Sequence, residues 1–161
     1  MPEFLLERYI LDAIAVAPNE AFDRKASKQS LHVETSIGIA PNTADPCRFM
    51  LRLEVKVGPD ENTRQSPPAY TVMIRGRAFF AFKKLPTKDE ANRFLQLNGV
   101  SILYGLLRGH VAQITAQGPH GQFLLPTLNF IELQKQAAGK SVGIEKKGQS
   151  LGRRKPHTDK E

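Results

Sequence analysis

The sequence contains no tryptophan and a single cysteine, Cys47, among its 161 residues. One thiol cannot staple a disulfide scaffold or supply the paired cysteines of a structural zinc site. The four histidines, His32, His110, His120 and His157, lack HxxxH or HxxE spacing, so no metal is expected. No stretch approaches 18 uninterrupted apolar residues, which argues against a membrane-spanning helix. Glu3 and Glu7 stand where a secretory leader would be basic and then greasy, and the expected location is therefore cytoplasmic. GxSxG and Walker motifs are missing, and no glycine-rich turn joins a strand to a helix. Catalytic residues and cofactors are accordingly expected to be none.

What is present describes one domain with a basic appendage. Apolar residues make up 40% of the chain and the net charge is +7. Residues 140–161 hold seven of the 23 basic side chains and only three of the 16 acidic ones, with Val142, Ile144 and Leu151 as their only large apolar groups. Such a segment buries too little to offset its ordering entropy. The reading is a folded domain over 1–138 and a basic, disordered tail over 139–161.

Alternation marks three strands. Phe49, Leu51, Leu53, Val55 and Val57 share one parity, with Arg48, Arg52, Glu54 and Lys56 on the other. Leu31, Val33, Ile37 and Ile39 repeat the pattern before Pro41, as do Tyr70, Val72, Ile74, Ala78, Phe80 and Phe82 after Pro67-Pro68. Turn-forming residues at 40–46 and 58–68 make these an antiparallel meander. The first seventeen residues are ambiguous, since composition favours helix while Leu6, Ile10, Ile14 and Val16 also suit a strand.

Thr87, Lys88, Asp89 and Glu90 form a capping-box pattern, predicting a helix of roughly thirty residues that ends at Gly118-Pro119. Val100, Leu103, Leu107, Val111 and Ile114 fall in one sector, which would cover the sheet. Opposite lie Ala91, Asn98, Gly105, Gly109, Ala112 and Ala116. Internal glycines cost a helix about 1 kcal/mol each, so Gly105, Gly109, Ala112 and Ala116 are read as a face where a second copy approaches closely. Packing on the chain's own second helix, or a kink at Asn98-Gly99, is the alternative. Ile131–Ala138 suits a second, short helix. Sheet-face arginines and the Lys/Arg tail suggest a basic nucleic-acid-binding protein as a competing function, although no aromatic residue interleaves the tail's charges as a base-stacking platform would require.

Two strings resemble the SecB family of export chaperones. Ile102–Tyr104, Arg108, Gly118, Leu125, Asn129 and Phe130 are similar to the family's ILFPYAR…RG…L-PVNF series at matching spacing, and Tyr9–Asn19 resembles its Y-x-K-D-x-S-F-E-A-P-N string. The resemblance covers about residues 8–138. It implies an α+β fold in which a four-stranded antiparallel sheet, its first strand at the N-terminus, packs on a long helix and a short C-terminal helix. It further implies a dimer of dimers that binds unfolded client proteins without ATP, either preproteins kept competent for export or a dedicated client such as an antitoxin. Carried over by position, the client groove comprises Phe22, Phe123, Leu124, Leu125 and Pro126, with Phe130 in support. Family members present acidic faces and tails to the translocation ATPase SecA. Arg48, Arg52, Arg75 and Arg77 here oppose that docking, and Thr127 replaces the proline of PVNF.

Overall fold

A computed structural model describes residues 3–135. The tail expected over 139–161 lies outside them. Four strands, β1 (Phe4–Pro18), β2 (His32–Pro41), β3 (Arg48–Gly58) and β4 (Tyr70–Phe82), form an antiparallel sheet in the order β1-β4-β3-β2. The meander runs β2 to β4 as expected, and β1 pairs with the far side of β4. Residues 19–31 carry the chain across from one edge to the other.

β1 is a strand despite its helix-favouring composition, and its register shows why its pattern misleads. The pairing slips once between Leu6 and Arg8 and again between Leu11 and Ala13, leaving Glu7 and Asp12 as bulged residues. Each bulge inserts one residue and reverses the alternation. Residues paired with the buried face of β4 are therefore Leu6, Tyr9, Leu11, Ile14 and Val16, spaced by two and three as on a helix. Both bulges carry carboxylates that hold arginines. Asp12 accepts from Arg77 Nε at 2.9 Å and Nη2 at 2.8 Å, and Glu7 lies 3.1 Å from Arg48.

The hydrogen bond from Arg77 holds the Asp12 carboxyl below its ordinary pKa, outweighing the opposing effect of desolvation. A depressed carboxylate pKa contributes stability that is complete above the unfolded value and lost as pH falls through the folded one. Asp12→Asn is therefore expected to melt below the wild type near neutral pH. The two melting curves should converge under strong acid, which a pH series of thermal denaturation would check.

One face of the sheet is core: Leu51, Leu53, Val55, Ile74, Ala78 and Phe80 have no exposed surface. It is covered by a helical rod made of α1 (Lys88–Phe94), a π turn (Leu95–Gly99) and α2 (Val100–Thr115). The expected capping box is present, with Thr87 Oγ1 accepting from Glu90 N–H and Glu90 Oε2 accepting from Thr87 N–H. Val100, Leu103, Leu107 and Val111 are buried as the sector predicted. Ile114 is not. It is 44% exposed and Thr115 is buried in its place, because the buried stripe drifts around the rod along its length. Ala91 also departs from expectation. The wider π turn gives each residue less rotation than an α turn does, which re-phases α1 and brings Ala91 to the interior.

Gly76 lets the rod sit down on the sheet. A Cβ there would meet Leu107 Cδ2 at 2.9 Å and the Ile10 carbonyl oxygen at 3.1 Å. Gly76→Val is expected to destabilise the chain by about 1–3 kcal/mol through overpacking, read as a lower denaturant midpoint.

The chain divides into two compact units, the first ending at Thr127 and the second beginning at Leu128. Within the second, residues 130–135 are helical, with Asn129 Oδ1 accepting from the N–H groups of Ile131 and Glu132 as an N-cap. Phe130 opens this helix.

Candidate client-binding site

Two loop segments expected to form a groove, the crossover after β1 and the connector after α2, meet on the side chain of Tyr70, the first residue of β4. The Tyr70 hydroxyl accepts from the His120 N–H at 3.0 Å and donates to the Gly121 carbonyl at 3.0 Å. Gly118 is required beside it, since any Cβ would collide with that hydroxyl. Gly121, at φ 78°, turns the connector back. Thr115 completes the turn, its hydroxyl accepting from Phe123 N–H at 2.8 Å and donating to the Val111 carbonyl at 2.7 Å.

The crossover is tied to the same point. His120 Nε2–H donates to the Asn19 carbonyl at 3.0 Å, and Arg24 Nη2 donates to the His120 carbonyl at 3.2 Å. Asn19 is fixed in turn by its N–H on the Ala69 carbonyl and its Nδ2 on the Pro68 carbonyl. The rings form a chain across the junction: Phe22 to His120 at 5.0 Å, His120 to Tyr70 at 5.6 Å, and Tyr70 to Phe123 at 6.1 Å. Phe22 and Phe123, 101 positions apart in sequence, thus belong to one aromatic cluster. Each remains partly exposed.

Further along the connector, Leu124 is 53% exposed while Leu125 is fully buried. Leu125 is thereby corrected from a groove contact to a core residue. Its carbonyl accepts from Arg108 Nε at 2.8 Å, and the Pro126 carbonyl accepts from the Tyr104 hydroxyl. Burial pushes the Tyr104 phenol up to about 12, so that hydroxyl remains a donor through the physiological range. These two anchors hold the backbone against α2 and leave Leu124 and the half-buried Pro126 at the surface. Sequence reasoning did not single out Tyr70 and His120, the residues that join the two segments. Their signal was weak, a tyrosine at a strand start and a histidine after Gly-Pro.

On α2 and its C-cap, Gly105, Gly109 and Ala116 are exposed, and a Cβ at Gly105 or Gly109 would meet nothing within 4 Å. The close-packed partner expected there is therefore not the described part of this chain. Ala112 is 7% exposed and belongs to the chain's interior, which removes it from the expected interface. Ile102, Gly105, Leu106, Gly109, Gln113 and Ala116 leave the outward face of α2 without a charge. His110, on its flank, is hydrogen-bonded to the Tyr9 hydroxyl at 3.1 Å. Among the described residues, no helix is long and apolar enough to cross a membrane.

A twisted four-stranded antiparallel sheet, backed on one face by a long helical rod and followed by a short helix, defines a SecB-like fold. The Rv1957 SecB-like chaperone of Mycobacterium tuberculosis, solved in complex with a ChAD peptide from the Rv1956 HigA1 antitoxin, aligns with a TM-score of 0.61. That alignment has 17% identity and covers 78% of this chain and 91% of the chaperone. A protein of unknown function from Streptococcus agalactiae aligns with a TM-score of 0.44 and 7% identity, over 79% of this chain and 99% of its own. In sequence, an uncharacterized protein of Methanocaldococcus jannaschii is 27% identical over 121 residues, 75% of this chain and 76% of that protein. No family model matches the sequence.

Proposed function

We propose that this protein is an ATP-independent chaperone of the cytoplasm that holds unfolded polypeptide on the surface formed by Phe22, Phe123, Leu124 and Pro126. The observation that carries the reading is the convergence of crossover and connector on Tyr70 and His120, within a fold shared with a chaperone solved with a bound peptide. Partly exposed aromatic and aliphatic side chains on loops suit many client sequences, because adaptable walls reject fewer segments than a rigid pocket. Burying one large apolar side chain is worth about 1.5–3 kcal/mol before ordering costs. A useful grip on a long client therefore calls for several such surfaces in one assembly. Self-association through the uncharged face of α2, as a dimer of dimers, would provide them.

Clients fall in two groups under this reading: preproteins awaiting export, and a dedicated partner such as an antitoxin. The second is favoured by the peptide held by the M. tuberculosis chaperone and by the arginines that replace an acidic SecA-docking face. Nucleic-acid binding is the weaker alternative, because Arg48, Arg75 and Arg77 are each engaged by a carboxylate. The deciding experiment is suppression of aggregation of a chemically denatured client without nucleotide. Protection at stoichiometric chaperone that persists in several hundred millimolar salt supports apolar capture. Aggregation unchanged by the protein would reject it.

A further inference from the structure

The sheet face turned away from the rod carries side chains that client capture does not use. Directly paired residues share a face, and the registers arrange this one in rows. Arg8, Phe79, Met50 and Ala40 form one row, and Ile10, Arg77, Arg52 and Gly38 the next. Ala13, Arg75, Glu54 and Ser36 follow, and then Ala15, Met73, Lys56 and Glu34. Arg52 and Arg77 stand directly opposite each other, a like-charge pairing that costs a sheet stability.

The two are not equally compensated. Asp12 draws Arg77 away with a bidentate hydrogen bond, and Glu54 is shared by Arg75 and Lys56 at 3.5 Å each. Arg52 makes no hydrogen bond or ion pair among the described residues, and its neighbour on the other side is Gly38, which offers no side chain. Arg8 likewise has no carboxylate there, and its guanidinium lies 4.5 Å from the centre of the Phe79 ring. Two clefts with apolar floors lie along this face. At one end Phe79, Met50, Ala40 and Pro41 floor a cleft of about 470 Å³ whose wall carries Arg8 and the Glu7–Arg48 pair. At the other, Ala15, Ala17 and Met73 floor one of about 380 Å³. Phe79 and Met73 are six residues apart on β4, roughly 20 Å at the strand rise.

We propose that this open face docks an extended acidic segment of a partner protein, its carboxylates taken by Arg52 and Arg8 and its apolar side chains seated in the two clefts. The surface is distinct from the client-binding one, so a partner and a client could be held together. A peptide fits the face better than a nucleic acid does. Glu7, Asp12, Glu34 and Glu54 stand among the arginines and would repel a continuous phosphate backbone, whereas a segment of mixed apolar and acidic residues meets each feature with its complement.

The test uses the full chain and a fluorescent peptide of four glutamates flanked at each end by two leucines, read by anisotropy. Binding is expected to weaken as salt rises and to fall at least about tenfold in Arg52→Glu and further in Arg8→Glu/Arg52→Glu. Arg52→Gln, which removes the charge without reversing it, should give an intermediate loss. Leu124→Ser should bind the acidic peptide as the wild type does while losing client capture, which separates the two surfaces. Equal binding of a peptide with lysine in place of glutamate would overturn the proposal. So would indifference to the arginine substitutions, or displacement of the peptide by a single-stranded oligoribonucleotide that binds more tightly.

Discussion

Gly109→Leu is expected to dissociate the proposed assembly toward smaller species while leaving each chain folded. The expectation follows from empty space: nothing in the described chain lies within 4 Å of where a Cβ at Gly109 would stand. A leucine there also raises intrinsic helix propensity, by close to 1 kcal/mol over glycine, so a merely structural role predicts a slightly more stable molecule of unchanged mass. An interface role predicts the opposite for assembly, since four added heavy atoms wedge apart two backbones that Gly105 and Gly109 allow to approach. Light scattering at several concentrations, with circular dichroism as the control for folding, separates the outcomes. An unchanged mass would return Gly105 and Gly109 to the role of solvent-facing residues.

The second large effect is expected at Leu124. Its side chain is 53% exposed beside Leu125, which is wholly buried, so adjacent residues offer a matched pair of substitutions. Leu124→Ser removes apolar surface available to a client without opening a cavity, and should leave the melting temperature close to that of the wild type. Client affinity should fall about tenfold or more per site, the size expected from losing one buried leucine contact. Leu125→Ala, by contrast, should cost about 2–5 kcal/mol of stability, as core truncations do. Calorimetry together with aggregation suppression reads both quantities. Equal client capture by wild type and Leu124→Ser would move the grip elsewhere on the chain.

The same pair shows how far the sequence could be read. Strands β2, β3 and β4 were legible because each alternates without interruption, and the start of α1 was legible because a capping box is a local device. β1 could not be settled from its residues, because two bulges convert a period of two into spacings that imitate a helix; family resemblance placed it correctly as a strand. The rod was legible in extent but not in phase, which misplaced Ala91 and Ile114. Within Phe123–Pro126, alternation offers no guide, because the segment is neither helix nor strand. Which of its side chains turns inward is decided by Arg108 and Tyr104 reaching across from α2 to particular carbonyls. The Tyr70–His120 junction depends wholly on contacts distant in sequence, and those are what a single sequence conceals.

The π turn at Leu95–Gly99 holds one residue more than ordinary helix would need for the same rotation. Phe94, immediately before it, sets its ring against Phe4 at 4.8 Å and Phe82 at 6.1 Å, closing the end of the sheet where the chain begins. Because each residue there turns through a smaller angle, these five residues cover nearly the rotation that four would cover in ordinary helix. Relaxing to ordinary helix at full length would swing Ala91 and Phe94 off their seats, whereas losing one residue would keep them facing the sheet. The turn is thus a single extra residue stored in the rod, and the place where the rod could be shortened without re-phasing α1.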